Sequence, residues 1–289
     1  MIELYHHGSS VCAAKVRLVL AEKSLEWKGH YVDILKGEQF NSDYIKLNPK
    51  AVVPTLVHDG VPILESTVIC EYLDETFPDP PLKPSTARER ANMRLWTKAV
   101  DEVLHPMCGE ITFAACHRHI VARLGPEGVA KFLASTPPIS VTSGWHDRKK
   151  VIVMEGLKAP GVDRAFLLYD SFLQKMEDTL HDRPWLAGAT YSLADIGLTP
   201  YVTRLDMMGM SEMWTTRRPK LTAWFEKVKA RPSYKPQLRD WCPPDLTNDL
   251  ATFGAKSWPE VKQILQTELK AAAPMPTSGT NEKVAVATT

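Results

Sequence analysis

The proline-rich stretch PDPPLKPST, residues 78–86, constrains the fold of this chain more than any other feature. It packs four prolines into nine residues, and a proline ring removes a backbone N–H donor and prevents a helix from continuing. Strand-like and helix-like runs alternate before this stretch, whereas helical spacing dominates after it. A chain of 289 residues can bury two separate cores. The sequence therefore predicts two domains of different classes, joined by a linker over residues 81–88.

Residues 1–80 read as a small α/β domain. The pattern predicts a strand over IELYH, a helix over Cys12–Lys23 and a strand over GHYVDI. PTLVHDGVPIL is predicted to be a hairpin, because HDG between two apolar runs is typical of a tight turn. STVICEYLDETF follows as a helix. Strands that alternate with helices are typical of α/β folds.

Residues 89–245 read as an all-helical domain. Several apolar residues recur at spacings of three and four, which predicts one buried helical face: Met93, Trp96, Val100, Val103 and Met107. Ser192 and Asp195 in SLAD form a predicted capping box, which begins another helix.

Two further segments depart from the regular helical pattern. Turn-forming residues predict an insertion, a long connection between helices, near residues 124–165. Residues 246–289 are a C-terminal extension, in which WPEVKQILQTEL has helical spacing. The part after about residue 271 lacks a periodic apolar face and is predicted to be disordered.

Composition excludes several classes of function. The chain carries 35 basic and 34 acidic residues without a long basic run, which argues against a nucleic-acid or membrane surface and favours a small-molecule partner. We expect a cytoplasmic protein, because the sequence has no apolar run of about 20 residues and no signal-peptide pattern. The cysteines are too scattered for a disulfide framework and are expected to be free thiols: Cys12, Cys70, Cys108, Cys116 and Cys242. CHRH lacks the ligand spacing of a metal site, so no metal is predicted.

The stretch HHGSSVC suggests thiol chemistry at the start of the first helix. A helix N-terminus has unpaired N–H groups and a partial positive charge, which stabilise an anion such as a thiolate. Ser10 could donate a hydrogen bond to a bound sulfur, and Cys12 could itself supply the sulfur. The alternative is purely structural: Ser9 or Ser10 caps the helix and Cys12 is a small core residue.

Two more motifs add binding functions. Pro54 in NPKAVVPTL begins a strand, and a cis Val53–Pro54 bond would turn the Val53 backbone outward to pair with an extended peptide. Glu65 and Ser66 end a strand and begin a helix, where a carboxylate, a hydroxyl and backbone N–H groups could hold an amino-acid head group. Together with the thiol site, these features match the tripeptide γ-glutamyl-cysteinyl-glycine, which is glutathione.

With these motifs, and with YSLADIGLTP, residues 1–240 resemble the cytosolic glutathione transferase superfamily. SSVC looks like the serine/cysteine branch, and STVICEYL with NMRLWTKAVDE looks most like the bacterial glutathione-dependent β-aryl etherases. The resemblance implies a thioredoxin-like first domain, an all-helical second domain, glutathione as co-substrate and a homodimer. It further implies glutathione-binding residues at Gln39, Val53, Pro54, Glu65 and Ser66, with Ser10 and Cys12 as catalytic residues.

The implied reaction is attack of a glutathione thiolate on an aromatic electrophile, including cleavage of lignin-type β-aryl ethers. Trp96, Met107 and Phe113 with few charges nearby predict a bulky, mostly neutral acceptor. Two alternatives stay open. Cys12 could be the nucleophile of a glutathione thiol-transferase, a reductive dehalogenase or a zeta-like isomerase. The protein could also bind glutathione or apolar ligands without catalysis.

Overall fold

A four-stranded mixed sheet with helices on it forms the first part of the chain. The structure is a computed structural model that describes residues 1–135 and 144–271. The stretch predicted to be disordered after about residue 271 lies outside the described residues, as does part of the insertion predicted near residues 124–165.

The sheet has the strand order β2-β1-β3-β4. β2 pairs parallel with β1, whereas β3 pairs antiparallel with both β1 and β4. Its strands are β1 (Ile2–His6), β2 (Lys28–Tyr31), β3 (Thr55–His58) and β4 (Val61–Ile63), and its helices are α1 (Val11–Glu22), α2 (Ser42–Leu47) and α3 (Ser66–Thr76). The hairpin at HDG is confirmed, whereas α2 arises in a stretch for which the sequence predicted no element.

The remaining elements of the described chain are helical. They are α4 (Ala87–Ala99), α5 (His105–Thr112), α6 (Arg118–Ala122), α7 (Gly125–Ala134), α8 (Trp145–Glu155), α9 (Val162–Thr179), α10 (Leu193–Met207), α11 (Glu212–Thr215), α12 (Pro219–Lys229) and α13 (Pro244–Ala271). A small mixed sheet followed by a helical domain confirms the predicted fold class. The region of the predicted insertion holds the two helices α7 and α8.

Two π-helical turns interrupt the long helix from α4 to α6. They span Val100–Leu104 and Phe113–His117. A π-helical turn has i→i+5 hydrogen bonds, so the spacing of side chains on the helix surface changes there. Trp96 and Val100 are buried and Met107 packs against the core, but Val103, inside the first π turn, is 37% exposed. The single apolar face predicted for this segment is therefore wrong at Val103.

A buried capping box begins α10. Asp195 accepts hydrogen bonds from the Ser192 N–H at 3.0 Å and from the Leu186 N–H at 3.0 Å, and Trp224 Nε1 donates to it at 2.9 Å. Burial raises the pKa of this carboxyl to about 6, although these donors favour its charged form. Asp195 therefore connects α10 to α12 through Trp224, and it also holds the loop before α10 through the Leu186 N–H.

Replacing Asp195 is expected to destabilise the protein. Asp195→Ala leaves buried N–H donors without acceptors, so we expect the free energy of unfolding to fall by about 3 kcal/mol. Urea denaturation followed by circular dichroism measures this change. The exposed Asp182→Asn is the control and should change stability by less than about 0.5 kcal/mol. Equal midpoints for the two variants would contradict the role given to Asp195.

Candidate active site

A cleft of about 990 Å³, including its open mouth, lies between the sheet-containing part and the helices. Three residues predicted for the glutathione site line it: Ser10, Gln39 and Val53. The facing wall comes from α5, the second π turn, α7, α8 and α10. The structure thus brings part of the predicted glutathione site together with residues of the helical domain.

Ser10 is the N-cap of α1 and also faces the cleft. Its hydroxyl oxygen accepts a hydrogen bond from the Ala13 N–H at 3.1 Å. The hydroxyl donates to the Val53 carbonyl oxygen only at 3.5 Å, the outer limit of a hydrogen bond. The hydroxyl can therefore donate a hydrogen bond to a ligand in the cleft while its oxygen keeps the capping hydrogen bond from the Ala13 N–H. The structural and the chemical interpretations of Ser10 are compatible.

The loop before Ser10 is held from two sides. Arg17, which is buried, donates to the carbonyl oxygens of His7 at 3.1 Å and Gly8 at 3.4 Å. Arg204 of α10 donates to the Ser9 carbonyl oxygen. A Cβ atom at Gly8 would lie only 2.0 Å from the Trp241 carbonyl oxygen, so this close approach requires glycine. The position of Ser10 is therefore set by contacts from distant parts of the chain.

Cys12 lies behind Ser10 and is not among the residues that line the cleft. Its Sγ atom lies 3.5 Å from His105 Nδ1 and 3.8 Å from the Tyr201 hydroxyl. Burial opposes ionisation of this thiol, but the nearby His105 and Lys15 cations outweigh it and lower the thiol pKa to about 6. The His105 pKa is raised in turn, because the Cys12 thiolate outweighs the effect of burial. The contact with His105 therefore favours the thiolate form of Cys12.

Glu65 and Ser66 lie at the start of α3, outside the residues that line the cleft. Glu65 has a φ of 67° and its carboxylate pairs with Lys50 Nζ at 2.5 Å. Ser66 is buried, and its hydroxyl near the Cys12 thiol helps to lower the pKa of that thiol. Pro54 follows Val53 through a cis peptide bond, the form that the sequence hypothesis required.

A polar cluster next to Ser66 was not predicted. Asp101 Oδ1 accepts from the Thr67 hydroxyl at 2.9 Å and from Lys15 Nζ at 3.2 Å. Lys15 is buried, and its pKa is raised because Cys12 and Asp101 outweigh the effect of burial. The cluster extends the charged network from Cys12 to the N-terminus of α3.

The helical wall of the cleft is aromatic. Phe113, Phe132 and Trp145 line it, with Phe113 and Trp145 packed edge to face at 6.0 Å between ring centroids. Of the three residues predicted to form the acceptor pocket, only Phe113 lines the cleft. Trp96 instead packs on Phe172, and Met107 packs against the core. The methionines of MMGMSEMW are buried in the core as well.

Three basic residues share this wall. Arg204, His117 and Lys149 line the cleft and are each at least nine-tenths buried. His117 belongs to the CHRH stretch, but its neighbour His119 stacks instead on Phe253. Among the residues that the structure describes, no group of three or more metal-ligating side chains comes together. No helix of the described ranges is long and apolar enough to cross a membrane.

Sequence reasoning missed His105, Lys15, Asp101 and Arg204. His105 lies 93 positions from Cys12, and Arg204 lies 195 positions from Ser9, so no local motif contains either pair. A basic residue in an otherwise apolar helix, such as Arg204 in LTPYVTRLDMM, was the only available signal.

The comparisons with known proteins agree with this architecture. The family model for the glutathione S-transferase N-terminal domain matches residues 9–76, and the model for the C-terminal domain matches residues 159–227. Protein LigF of Sphingobium sp. strain SYK-6 is 32% identical over 240 residues, 81% of this chain and 91% of that protein. The chain therefore belongs to the glutathione S-transferase family. It is a glutathione-dependent enzyme with glutathione as co-substrate.

The names of two relatives state activities that are more specific than the family. The crystal structure of beta-etherase LigF superposes with a TM-score of 0.74 at 32% identity, covering 82% of this chain and 98% of that one. Tetrachloro-p-hydroquinone reductive dehalogenase of Sphingobium chlorophenolicum is 30% identical over 245 residues, 81% of this chain and 94% of the relative. The family is thus established, and the reaction within the family is argued below.

The Cys12–His105 contact makes a testable prediction. Alkylation of Cys12 by iodoacetamide, followed by mass spectrometry as a function of pH, should be half-maximal near pH 6. His105→Gln removes the cation that favours the thiolate, so the midpoint should rise toward the ordinary thiol value of about 8.5. His119→Gln, a histidine that contacts Phe253 instead, should leave the midpoint unchanged. A wild-type midpoint near 8.5 would show that the thiol is not activated.

Proposed function

We propose that this enzyme cleaves β-aryl ethers of the lignin type with glutathione. The glutathione thiolate attacks the carbon that bears the ether oxygen, next to a ketone. A C–S bond forms, the C–O bond breaks with its electron pair on oxygen, and the phenoxide takes a proton from water. The protein contributes a stabilised thiolate and the alignment of the two reactants.

One observation carries this proposal: the aromatic cleft meets Ser10 at the N-terminus of α1. A thiolate bound there can accept a hydrogen bond from the Ser10 hydroxyl. The partial positive charge at the helix N-terminus stabilises it further. An aryl group can lie against Phe113, Phe132 and Trp145 on the other side. The 32% identity to a protein described as a beta-etherase supports the same reaction class.

The remaining predicted residues fit a glutathione molecule that extends away from Ser10. Gln39 and Val53 line the sheet side of the cleft, where the tripeptide backbone can pair with Val53. Glu65 and Ser66, at the start of α3, are proposed to hold the γ-glutamyl end. Asp101 is close enough to Thr67 to join them as a partner for the ammonium group.

A second candidate reaction uses Cys12 as the nucleophile. The Cys12 thiol pKa of about 6 and its contact with His105 favour it. In this reaction the Cys12 thiolate attacks the glutathione sulfur of a mixed disulfide, and the other thiolate leaves. A second glutathione then releases Cys12 and forms glutathione disulfide. A relative that is 30% identical over 245 residues is described as a reductive dehalogenase, one of the activities considered for Cys12.

Ser10→Ala and Cys12→Ser separate the two reactions. With an α-keto β-aryl ether and excess glutathione, Ser10→Ala should lower kcat ten- to hundredfold, the approximate value of a hydrogen bond to a charged group. The pKa of bound glutathione, measured from thiolate absorbance, should rise. Cys12→Ser should keep most of the wild-type rate.

The reaction products distinguish ether cleavage from the reaction that uses Cys12. Chromatography should show a free phenol and a thioether of glutathione in equal amounts. If the enzyme acts only on a chlorinated hydroquinone, a maleyl-type dicarboxylate or a mixed disulfide, and Cys12→Ser is inactive, the second reaction replaces the first. Binding of glutathione with an unchanged thiol pKa and no turnover would identify a non-catalytic binder.

We also infer a homodimer, as the family relationship implies. Val68 of α3 is 56% exposed and Leu95 of α4 is 63% exposed. Arg94 pairs with Glu71 between these helices, so the two apolar side chains lie on neighbouring elements. We expect light scattering to give the mass of two chains for the wild type and of one chain for Leu95→Glu. The exposed Leu124→Glu is the control, and a monomeric wild type would contradict the inference.

A further inference from the structure

The basic residues on the helical wall of the cleft are unusual for a site that binds a neutral aromatic molecule. Arg204 is 4% exposed and His117 is 7% exposed. Arg204 uses Nη2 to hold Ser9, but its Nε and Nη1 atoms have no hydrogen-bond partner among the described residues. His117 Nε2 also lacks such a partner. Buried polar atoms without partners are rare and costly, which points to a missing ligand.

The described lining of the cleft carries basic but no acidic side chains. No Asp or Glu is among the residues described as lining it. Burial lowers the His117 pKa well below its usual value, and the neighbouring Arg204 and Lys149 cations lower it further. An anion beside Arg204 and His117 would meet their unpartnered donors and compensate the buried charge of Arg204.

Aromatic and basic groups alternate on the same wall. Lys149 Nζ lies 3.9 Å from the centre of the Phe132 ring and 5.5 Å from that of Phe113. The Phe113 ring in turn packs edge to face on His117 at 5.2 Å. A ligand that contacts these rings therefore lies next to the cations. The best match is a flat aromatic molecule with a negatively charged substituent.

We propose that the acceptor subsite binds an aromatic carboxylate, with Arg204 and His117 as its hydrogen-bond donors and Lys149 as a neighbouring cation. The planar guanidinium group of arginine suits a carboxylate, and such charge-assisted bonds are strong in a buried site. The inference deepens the proposed function, since it takes this cleft as the acceptor site. It replaces the mostly neutral acceptor expected from the α4–α5 sequence, because Arg204 and Lys149 come from other helices.

Glutathione carries two carboxylates of its own, which are the rival source of the anion. The residues proposed to hold glutathione, Val53, Gln39 and Ser66, come from the first 80 residues. Arg204, His117 and Lys149 come instead from the helical domain. Binding of the aromatic acid at saturating glutathione separates the two sources.

The test measures binding and needs no turnover. Calorimetry compares 4-phenoxybenzoate with its neutral amide, both with full-length protein at saturating glutathione. The wild type should bind the acid at least about tenfold more tightly than the amide. Arg204→Met and Lys149→Met should each lower this preference to about threefold or less, while the affinity for the amide stays nearly constant. Lys175→Met removes an exposed cation that lies over Trp96, outside the cleft, and should keep the preference.

The outcomes are distinguishable. Because Arg204 also holds Ser9, its variant is first checked by thermal unfolding, and Lys149→Met decides the test if Arg204→Met does not fold. Equal wild-type affinities for acid and amide, or a preference that persists in every folded variant, would overturn the inference. A preference that disappears when glutathione is added would assign the anion site to glutathione and also overturn it. Failure of ether cleavage with an intact preference would refute only the proposed function.

Discussion

The hydrogen bonds of two buried arginines to the β1–α1 loop are the constraint on which the site depends. Arg17 reaches the loop from α1 and also donates to the Gln237 carbonyl oxygen, and Arg204 reaches it from α10. Donors of a buried cation need acceptors, and carbonyl oxygens of the loop accept from Arg17 and from the Nη2 atom of Arg204. Contacts from both domains therefore hold the loop before Ser10 in place. The start of α1 and the cleft thus keep a fixed position relative to each other.

The start of α1 presents two sulfur-related sites on opposite sides of one turn. Ser10 faces the cleft, whereas Cys12, two positions later, points toward His105 and Tyr201. Residues two apart on a helix do not share a face, so the two side chains serve different surroundings. The two proposed reactions therefore use different nucleophiles within a few residues: a glutathione thiolate at Ser10 or the thiolate of Cys12.

The helical domain gives the cleft a wall that combines aromatic and basic groups. The two π-helical turns flank α5, and His105, Phe113 and His117 lie at or in them. Turns of this kind are frequent at functional sites because they redirect side chains from the regular helical face. Low solvent access then strengthens every electrostatic interaction with a bound anion. In the proposed function, acceptor selectivity is thus a property of this wall rather than of the glutathione side.

The sequence by itself determined the features that depend on hydrogen bonds within one turn and on local apolar spacing. A cap at Ser9 or Ser10, the capping box at Asp195, the HDG hairpin and the division into an α/β part and a helical part all follow from neighbouring residues. Three motifs together indicated glutathione, and resemblance to a known family implied the same co-substrate. The tertiary structure alone decided the contact of Cys12 with His105 and that of Ser9 with Arg204. These pairs are far apart in the chain, and their meeting depends on how irregular helices pack, which local spacing does not encode.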